Sequence, residues 1–310
     1  MEKTKKEAIE KKEREAITRR KSAISYKTRE KVVVRGYDMS ELAEAGYTFE
    51  DGIFVLLQGR IPTENEMRML RYEMAEFIEH SMSPSAAAGI TTMGGRPLLP
   101  AAIAAAIMCF GAAHGPGAAH GYMCDEFFER AVKENKKDLK ELAKTLVDEY
   151  LREKKPIQGL GQPQHIYGDP RVYPTFRRSQ MLETAGVYNQ FQLELLNELN
   201  RRRMKEGKTF VHPNMIGAGN SSLMDLGFSP LASFIIGSVS RGYSCAAHAI
   251  EQLKRGHAWM ASRREKMVQL LDLAMIKYEG PPDRDVPPIR NRDKYAQEQK
   301  EKGEWKKWNL

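Results

Sequence analysis

Cysteine is scarce in this chain of 310 residues, which contains only Cys109, Cys124 and Cys245. The three cysteines show no paired spacing such as Cys-x-x-Cys. This argues against a disulfide-stabilised fold and against a zinc site built from cysteine. We therefore expect a cytoplasmic protein, in a reducing compartment, with no metal centre.

Long apolar segments are also missing. The longest apolar run, residues 98–110, has thirteen residues and contains Pro100, whereas a helix that spans a membrane needs about 20. The basic N-terminus is not followed by an apolar stretch, so we expect neither a secretion signal nor a membrane partner. With 41% apolar and 29% charged residues, the composition is that of an ordinary globular protein.

The basic surplus is concentrated at the two ends. The chain has 49 basic and 41 acidic residues, a formal net charge of +8, and the surplus lies in residues 1–21 and 290–310. Basic ends of this kind can bind nucleic acid. We favour solvated helical arms of mixed charge, because Glu and Lys interleave and no recognition motif is present. We predict a basic helical arm at residues 1–30, a tail at 281–310 and no nucleic-acid partner.

Almost every periodic stretch has the spacing of an α-helix. From Leu139 to Leu151 the apolar residues recur at intervals of three and four, which places them on one face. Another helix is predicted to begin at Thr63, whose hydroxyl can cap it while Glu66 reaches back in a capping box. Glycine, a common helix terminator, follows three more helical stretches. These are residues 188–205, 244–255 and 263–278.

The sequence contains few patterns that are typical of β-strands. Only residues 31–35 (KVVVR) favour a strand, which either pairs with residues 52–57 or crosses the core unpaired. The fold class is therefore predicted to be mostly helical.

Three glycine-rich stretches interrupt the helices. They are residues 111–121 (GAAHGPGAAHG), 159–171 (GLGQPQHIYGDPR) and 212–219 (HPNMIGAG). Glycine lets the backbone approach a ligand closely and leaves N–H groups free to bind anions. Any one of them can be a simple turn. Because each carries or adjoins His or Arg, the three together indicate a site built from loops at helix ends.

Further motifs surround these stretches. They are VVVRGYDMSELAEAGYTFEDGIFVLL at residues 32–57, GRIPT at 59–63, EHSMSPSA at 79–86, PLLPAAIAAAIMCFGAAHGPGA at 97–118, PNMIGAGNSSLMDLGF at 213–228 and FIIGSVSRGYSCAAHAIEQ at 234–252. Their order and spacing resemble the citrate synthase superfamily over residues 24–258. The sequence is most similar to the short citryl-CoA lyase-type members and to the lyase module of ATP-citrate lyase.

The resemblance implies an all-α, citrate synthase-like fold with a large and a small helical domain and the site in the cleft between them. The large domain would comprise residues 31–121 and 210–280, and the small domain residues 122–209. It also implies a homodimer or a higher homo-oligomer.

Enzymes of this family form or break a carbon–carbon bond beside a CoA thioester, through an enolate stabilised by hydrogen-bond donors. The resemblance implies that His114 is the donor to the enolate oxygen. His120 lies six residues later in a near-copy of the motif and is the alternative catalytic histidine. His80 matches a residue at the cleft wall that binds substrate. The simpler alternatives are a helix-capping role for His114 and a solvent-facing position for His80.

The second glycine-rich stretch departs from the family pattern. Where the family has histidine after Gly-x-Gly, this chain has Gln162, which can donate a hydrogen bond to a carbonyl but cannot become cationic. His165, three residues later, is the other candidate for that catalytic role. Arg171 matches an arginine that binds the acceptor carboxylate, a task that suits its planar fork. Its alternative is a surface ion pair with Asp169 or Glu183.

The third stretch departs further, because Ile216 occupies the position of the family's catalytic aspartate and cannot accept a proton. The acidic candidates are Asp225 and, beyond the first glycine-rich stretch, Asp125 and Glu126. None is a convincing replacement, and His212 is a weaker candidate. Arg241 matches an arginine that supports the acceptor carboxylate. The arginine that the partner subunit supplies in the family has no clear match, and Trp259 lies near its place.

The CoA-binding part of the pattern is present. The resemblance implies that CoA lies against the backbone of Ile157, Gly159, Leu160 and Gly161. Lys154 and Lys155 precede this loop, and their positive charge suits phosphate groups. The implied cofactor is a CoA thioester that serves as substrate.

We therefore predict an acyl-CoA carbon–carbon lyase or acyltransferase of citrate synthase type. Its partners would be a small acyl-CoA and a carbonyl or carboxylate acceptor that is not the family's usual one. The alternative is a catalytically inactive CoA-binding or subunit-like homologue, which the replacements at Gln162 and Ile216 favour. Weak or no citrate synthase activity is expected.

Overall fold

The computed structural model describes residues 21–95, 98–135, 138–162, 164–254 and 287–303. A small antiparallel sheet comes first, and helices follow. The strands are β1 (Ser25–Lys27), β2 (Val32–Val34) and β3 (Tyr37–Asp38). The helices are α1 (Met39–Glu44), α2 (Phe49–Gln58), α3 (Glu64–Phe77), α4 (Pro84–Gly94), α5 (Leu99–Met108), α6 (Gly117–Lys133), α7 (Leu139–Glu153), α8 (Val172–Met181), α9 (Val187–Lys205), α10 (Ser221–Asp225), α11 (Pro230–Lys254) and α12 (Arg292–Lys302). A π-helical turn, Ile216–Asn220, precedes α10, and a 3-10 turn, Ile289–Asn291, precedes α12.

The helical fold class is confirmed, and local chemistry explains where the helices begin. The Glu66 amide donates to Thr63 Oγ1 at 3.3 Å, and the Thr63 amide donates to Glu66 Oε2 at 2.7 Å, which is the predicted capping box. The predicted helix from Leu139 is α7. The middle of its periodic face is buried, whereas Leu151 at its end is exposed. Its N-cap is Asp138, whose side chain accepts from the Lys140 amide.

The strand prediction needs a correction. Residues 32–34 do form a strand, but they pair with residues 25–27 and 37–38. Residues 52–57 lie in α2. Thr48 and Asp51 form a capping box at the start of α2, and Phe54 and Val55 are buried in the core, so this segment is held as a helix.

The two largest apolar clusters of the described residues join several helices each. One joins α6, α7 and α9 through residues such as Phe127, Leu146 and Phe191. The other joins α2, α3, α10 and α11 through Phe54, Leu70 and Leu223 among others. The first core is built from the segment assigned to the small domain, and this favours the predicted two-domain division, which stays a prediction.

Helix α11, the longest of the described helices, is longer than predicted. It begins at Pro230, whereas the sequence predicted a helix only from residue 244. Residues 1–20, most of the N-terminal arm, lie outside the described residues, as do the predicted helix at 263–278 and Trp259. Among the described helices, none combines the length and the apolar character required to cross a membrane.

Candidate active site

Residues from all three glycine-rich stretches line one cavity of about 560 Å³. The first stretch contributes residues 112–117, the second residues 159–162 and the third residues 214–216. Phe77 at the end of α3 and part of α11 complete the wall. The stretches lie together, as the sequence predicted, and this cavity is the candidate active site.

Hydrogen bonds fasten the second stretch to the third. The Gly159 carbonyl accepts from the Asn214 amide at 2.9 Å, and the Gly161 amide donates to the His212 carbonyl at 2.8 Å. The Asn214 side chain donates to the Gly161 carbonyl, also at 2.8 Å. Gly159 has φ +86°, and a Cβ there would lie 2.8 Å from the Gly217 Cα. The loop that was assigned to CoA is therefore held rigidly at the cavity edge, and it depends on glycine for its conformation.

His114 lines the cavity with its ring held on two sides. Its Nε2 lies 3.1 Å from Ser85 Oγ, which lies 3.0 Å from Ser83 Oγ. The Phe110 ring stacks on the imidazole with centroids 4.7 Å apart. Burial lowers the pKa of His114 below 6.5, and the positive charge of Arg241 lowers it further. The ring is therefore neutral at physiological pH.

His120, the alternative catalytic histidine, is fully buried behind the cavity and does not line it. Its Nε2 lies 3.0 Å from Gln192 Oε1, and its Nδ1 lies 3.0 Å from Asn220 Nδ2. Burial lowers its pKa to about 4. Both ring nitrogens have protein partners, so His120 links α6, α9 and the π-helical turn in this structure.

His80 lines the cavity, whereas His165 lies just behind it. The two Nε2 atoms are 2.9 Å apart, and the rings are 5.1 Å apart. Burial, followed by the charges of Arg171 and Arg241, lowers the pKa of His80. This wall of the cavity is therefore electropositive.

Arg171 lines the cavity, but most of its guanidinium is already engaged. Asp169 accepts from Nε at 3.0 Å and from Nη2 at 2.7 Å; its carboxylate is buried and Arg171 is partly buried. Nη1 donates to the carbonyls of Glu76 at 3.0 Å and Glu79 at 3.4 Å, at the end of α3. Asp169, not Glu183, is thus the ion-pair partner.

Arg241 is also buried and lines the cavity from α11. Its Nε donates to the Phe77 carbonyl at 2.9 Å. Within the described part of the chain, no carboxylate forms an ion pair with it and its two Nη groups make no hydrogen bond. Burial lowers its pKa, the charge of Arg171 acts in the same direction, and the carboxylate of Glu79 opposes them. Its fork is available to an anion.

The rest of the lining contains no acidic residue among those described. Ile216 lies at the start of the π-helical turn and lines the cavity with Met215 and Phe234. Gln162 lines it too, and its buried Oε1 finds no hydrogen-bond partner among the described residues. The described part of the cavity therefore provides neutral donors and one arginine fork, but no carboxylate base. Asp225, one of the sequence candidates, instead accepts from the Gly186 and Asn189 amides.

Sequence reasoning missed two features next to the site. Ser85, which contacts His114, lies within the motif at residues 79–86 but carried no signal of its own. Glu73 is completely buried, and the Ser222 hydroxyl near it donates to the Ala218 carbonyl, so neither carboxylate oxygen has a hydrogen-bond partner in the described part of the chain. Its position in sequence was a usable signal, because Met69, Leu70, Glu73 and Phe77 form one buried stripe of α3.

One group of side chains has the composition of a metal site. Ligand atoms of His80, His165 and Asp169 lie within 4.8 Å of one another. Both Asp169 oxygens already accept from Arg171, however, and the guanidinium charges disfavour another cation. The electrostatics of this corner suit an anion.

Comparison with known proteins identifies relatives of this chain. The citrate synthase C-terminal domain family matches residues 74–262. The structure is similar to that of citryl-CoA lyase from Hydrogenobacter thermophilus, with a TM-score of 0.71 and 28% sequence identity, over 86% of this chain and 97% of that chain. A search of curated proteins found no match.

Two more distant structures share the fold. Citrate synthase from Thermoplasma acidophilum, in a ternary complex with carboxymethyl coenzyme A and oxaloacetate, has 21% identity and a TM-score of 0.56, over 79% of this chain and 60% of that chain. ATP citrate lyase from Methanothrix soehngenii, in complex with citrate and coenzyme A, has 16% identity and a TM-score of 0.65, over 87% of this chain and 43% of that chain. This chain therefore spans only part of the length of these two relatives.

The family match covers more than half of the chain, and every cavity-lining residue lies within it. The chain belongs to the citrate synthase family.

Proposed function

We propose that the chain binds an acyl-CoA thioester in this cavity and forms or cleaves a carbon–carbon bond between the acyl chain and a carbonyl acceptor. The observation that carries the proposal is that His114, the 157–161 loop and Arg241 line one cavity. The relatives solved with coenzyme A or carboxymethyl coenzyme A support CoA as the ligand. Ile157, Gly159, Leu160 and Gly161 would hold it by their backbone.

His114 would stabilise the enolate. If the Ser85 hydroxyl donates to Nε2, the neutral ring carries its proton on Nδ1, which no described residue accepts. That N–H can donate to the thioester oxygen as negative charge develops on it. The lowered pKa keeps the ring neutral at physiological pH, so the ring contributes a hydrogen bond without becoming a full cation.

The acceptor would occupy the electropositive corner. Arg241 would bind its carboxylate, His80 and Arg171 would surround it, and Gln162 would donate to its carbonyl oxygen in place of a histidine. Ile216 and Phe234 make the adjoining wall apolar. An acceptor less charged than oxaloacetate fits this lining.

A second function is favoured by one observation. No acidic residue lies among the described residues that line the cavity, and loss of a general base costs roughly 10²–10⁴-fold in rate. A catalytically silent CoA-binding or subunit-like homologue is therefore the alternative. Binding of CoA without turnover of any acyl-CoA would favour it.

Calorimetry and an activity assay test both functions. CoA and acetyl-CoA are titrated into the full-length protein, and a panel of acyl-CoA esters is assayed for carbon–carbon bond formation or cleavage by mass spectrometry. His114→Asn should abolish turnover while CoA binding persists. His248→Asn is the matched control, because His248 does not line the cavity. If the protein does not bind CoA, both the enzymatic function and the silent CoA-binding function are ruled out.

We further propose that the protein acts as a homodimer in the cytoplasm. Helix α11 presents an exposed apolar row at intervals of four residues, consisting of Leu231, Ile235, Val239 and Tyr243. An apolar stripe of this kind is typical of a subunit interface. The three unpaired cysteines favour a reducing compartment.

A further inference from the structure

We propose that the carbonyl acceptor is a 2-oxo monocarboxylate whose single carboxylate is bound by Arg241, and that dicarboxylates are disfavoured. This rests on the proposed function and names the substrate class of the same site. The proposal depends on how many hydrogen-bond donors of Arg171 and Arg241 already have partners in the protein.

Arg171 is a poor partner for a substrate carboxylate. A guanidinium has five N–H donors, and Arg171 uses four in bonds from Nε, Nη1 twice and Nη2. Its charge is balanced by the buried carboxylate of Asp169, whose pKa these interactions keep low. One donor remains, which is insufficient for a bidentate pair.

Arg241 is in the opposite state. Of its five donors, only the Nε–H is used within the described chain, in the bond to the Phe77 carbonyl. That bond orients the side chain and leaves the two Nη groups to grip one carboxylate. The carboxylate of Glu79 acts on Arg241 electrostatically but forms no ion pair with it in the described chain. A buried cation with so little compensation is costly for a protein to keep, and an anionic ligand offsets that cost.

The surroundings suit the remainder of a monocarboxylate. Phe77, Ile216 and Phe234 are cavity-lining side chains that cannot pair with a second negative charge. Gln162 is placed to bond the oxygen of the ketone or of the corresponding alcohol, because its carboxamide carries both donors and an acceptor. A second carboxylate would be desolvated in this cavity without a partner.

The corresponding reaction needs no further reactant. In the cleavage direction, the bond between C2 and C3 of a 3-carboxy-3-hydroxyacyl-CoA breaks, and its electron pair forms the thioester enolate. The electrons of the O–H bond form the ketone of the 2-oxo acid. The hydroxyl proton is released and a proton is added at C2, which gives an acyl-CoA and a 2-oxo monocarboxylate. The condensation is the exact reverse in atoms and electrons.

Calorimetry on the full-length protein saturated with CoA tests the inference, with pyruvate and oxaloacetate as probes. We expect pyruvate to bind about 10-fold more tightly or better, because an unpaired charged group costs at least one charge-assisted hydrogen bond. Arg241→Gln should abolish binding of both acids while CoA still binds.

Asp169→Asn provides a gain-of-function test. The substitution keeps the shape of the side chain but removes the charge that neutralises Arg171, so oxaloacetate affinity should rise about 10-fold and pyruvate affinity should change little. Thermal unfolding shows whether the variant is folded. If the variant is not folded, the ratio of pyruvate to oxaloacetate affinity in the wild-type protein and the Arg241→Gln variant test the proposal.

Each outcome separates the two proposals. Equal or tighter binding of oxaloacetate by the wild-type protein, binding of neither acid, or unchanged binding in Arg241→Gln would overturn the monocarboxylate assignment while CoA binding leaves the proposed function intact. Loss of CoA binding itself in the wild-type protein would overturn the proposed function.

Discussion

The carboxyl group of Glu73 lies against Gly219, where a Cβ would be only 2.7 Å from Oε2. Gly219 belongs to the π-helical turn that carries Ile216 into the cavity wall. Burial raises the pKa of Glu73 to about 8. A protonated carboxyl group therefore lies behind the cavity wall. The lack of a side chain at Gly219 leaves room for it.

Glu73 should make stability depend on pH. Because its folded pKa is above its usual 4.5, the folded state binds more protons than the unfolded state between about pH 4.5 and 8. The stability contribution is complete below that window and is lost as pH rises through it. Replacing Glu73 with Met should flatten this dependence and raise the free energy of unfolding at pH 8 by about 2 kcal/mol or more.

Urea unfolding between pH 5 and 8.5 measures the effect. Glu64→Met, on the exposed start of the same helix, is the control, since its side chain is 80% exposed. A Glu73→Met protein whose stability falls with pH as steeply as the wild type would contradict this account.

Ser85 should position His114 rather than contribute to CoA binding. Ser85→Ala removes the contact to His114 Nε2, so turnover should fall about 10-fold while CoA affinity stays the same. Ser238→Ala is a matched control in the same cavity, because its hydroxyl donates to the Phe234 carbonyl within α11. Equal losses in the two variants would argue against a positioning role.

The pH profile should reflect the neutral state of His114. Since burial and the nearby Arg241 lower its pKa, the fall of turnover with decreasing pH should have its midpoint below pH 6.5. NMR titration of ¹⁵N-labelled histidines measures the pKa directly, with His114→Asn used for assignment. A midpoint at or above 6.5 would contradict the prediction.

The parts of the fold that could be predicted are those set by local chemistry. The Thr63 capping box and the apolar face from Leu139 involve neighbours within one or two helical turns, so the pattern alone indicates them. The strands that pair with residues 32–34 could not be predicted in the same way, because a short valine run can pair with several segments equally well. Residues 52–57 are not a strand partner because the capping box at Thr48 starts a helix there.

The site shows the same division. The convergence of the glycine-rich stretches followed from their spacing and from the family resemblance. The ion pair of Arg171 with Asp169, two residues away, was among the alternatives that the sequence offered. The bonds from Arg171 to the carbonyls of Glu76 and Glu79, and the lack of an ion-pair partner for Arg241 among the described residues, depend on the end of α3 meeting α8 and α11 in space. No sequence pattern records how many donors of an arginine are already used, and the proposed acceptor class depends on this count.

Replacement of Gly159 should be harmful because a Cβ there would clash with Gly217. A comparison with Gly207 separates this clash from backbone strain. Gly159 and Gly207 both have positive φ, +86° and +66°, but only at Gly159 would a Cβ meet nearby atoms. Alanine at 207 should cost about 1 kcal/mol of unfolding free energy from backbone strain alone. Alanine at 159 should cost more and should also abolish CoA binding, as measured by urea unfolding and calorimetry. Equal effects of the two substitutions would show that the contact with Gly217 is unimportant.

The exposed apolar row of α11 should bury itself in a dimer. Val239 is 44% exposed in a single chain and lies in the middle of that row. Val239→Asp would place a charge in the interface, where an unpaired buried charge is strongly unfavourable, so the variant should elute as a monomer. Light scattering coupled to size exclusion measures the mass. Val132→Asp is the control, because Val132 is 82% exposed on α6 and lies outside the row. A wild-type monomer, or a Val239→Asp dimer of unchanged stability, would show that the subunits meet elsewhere or do not associate.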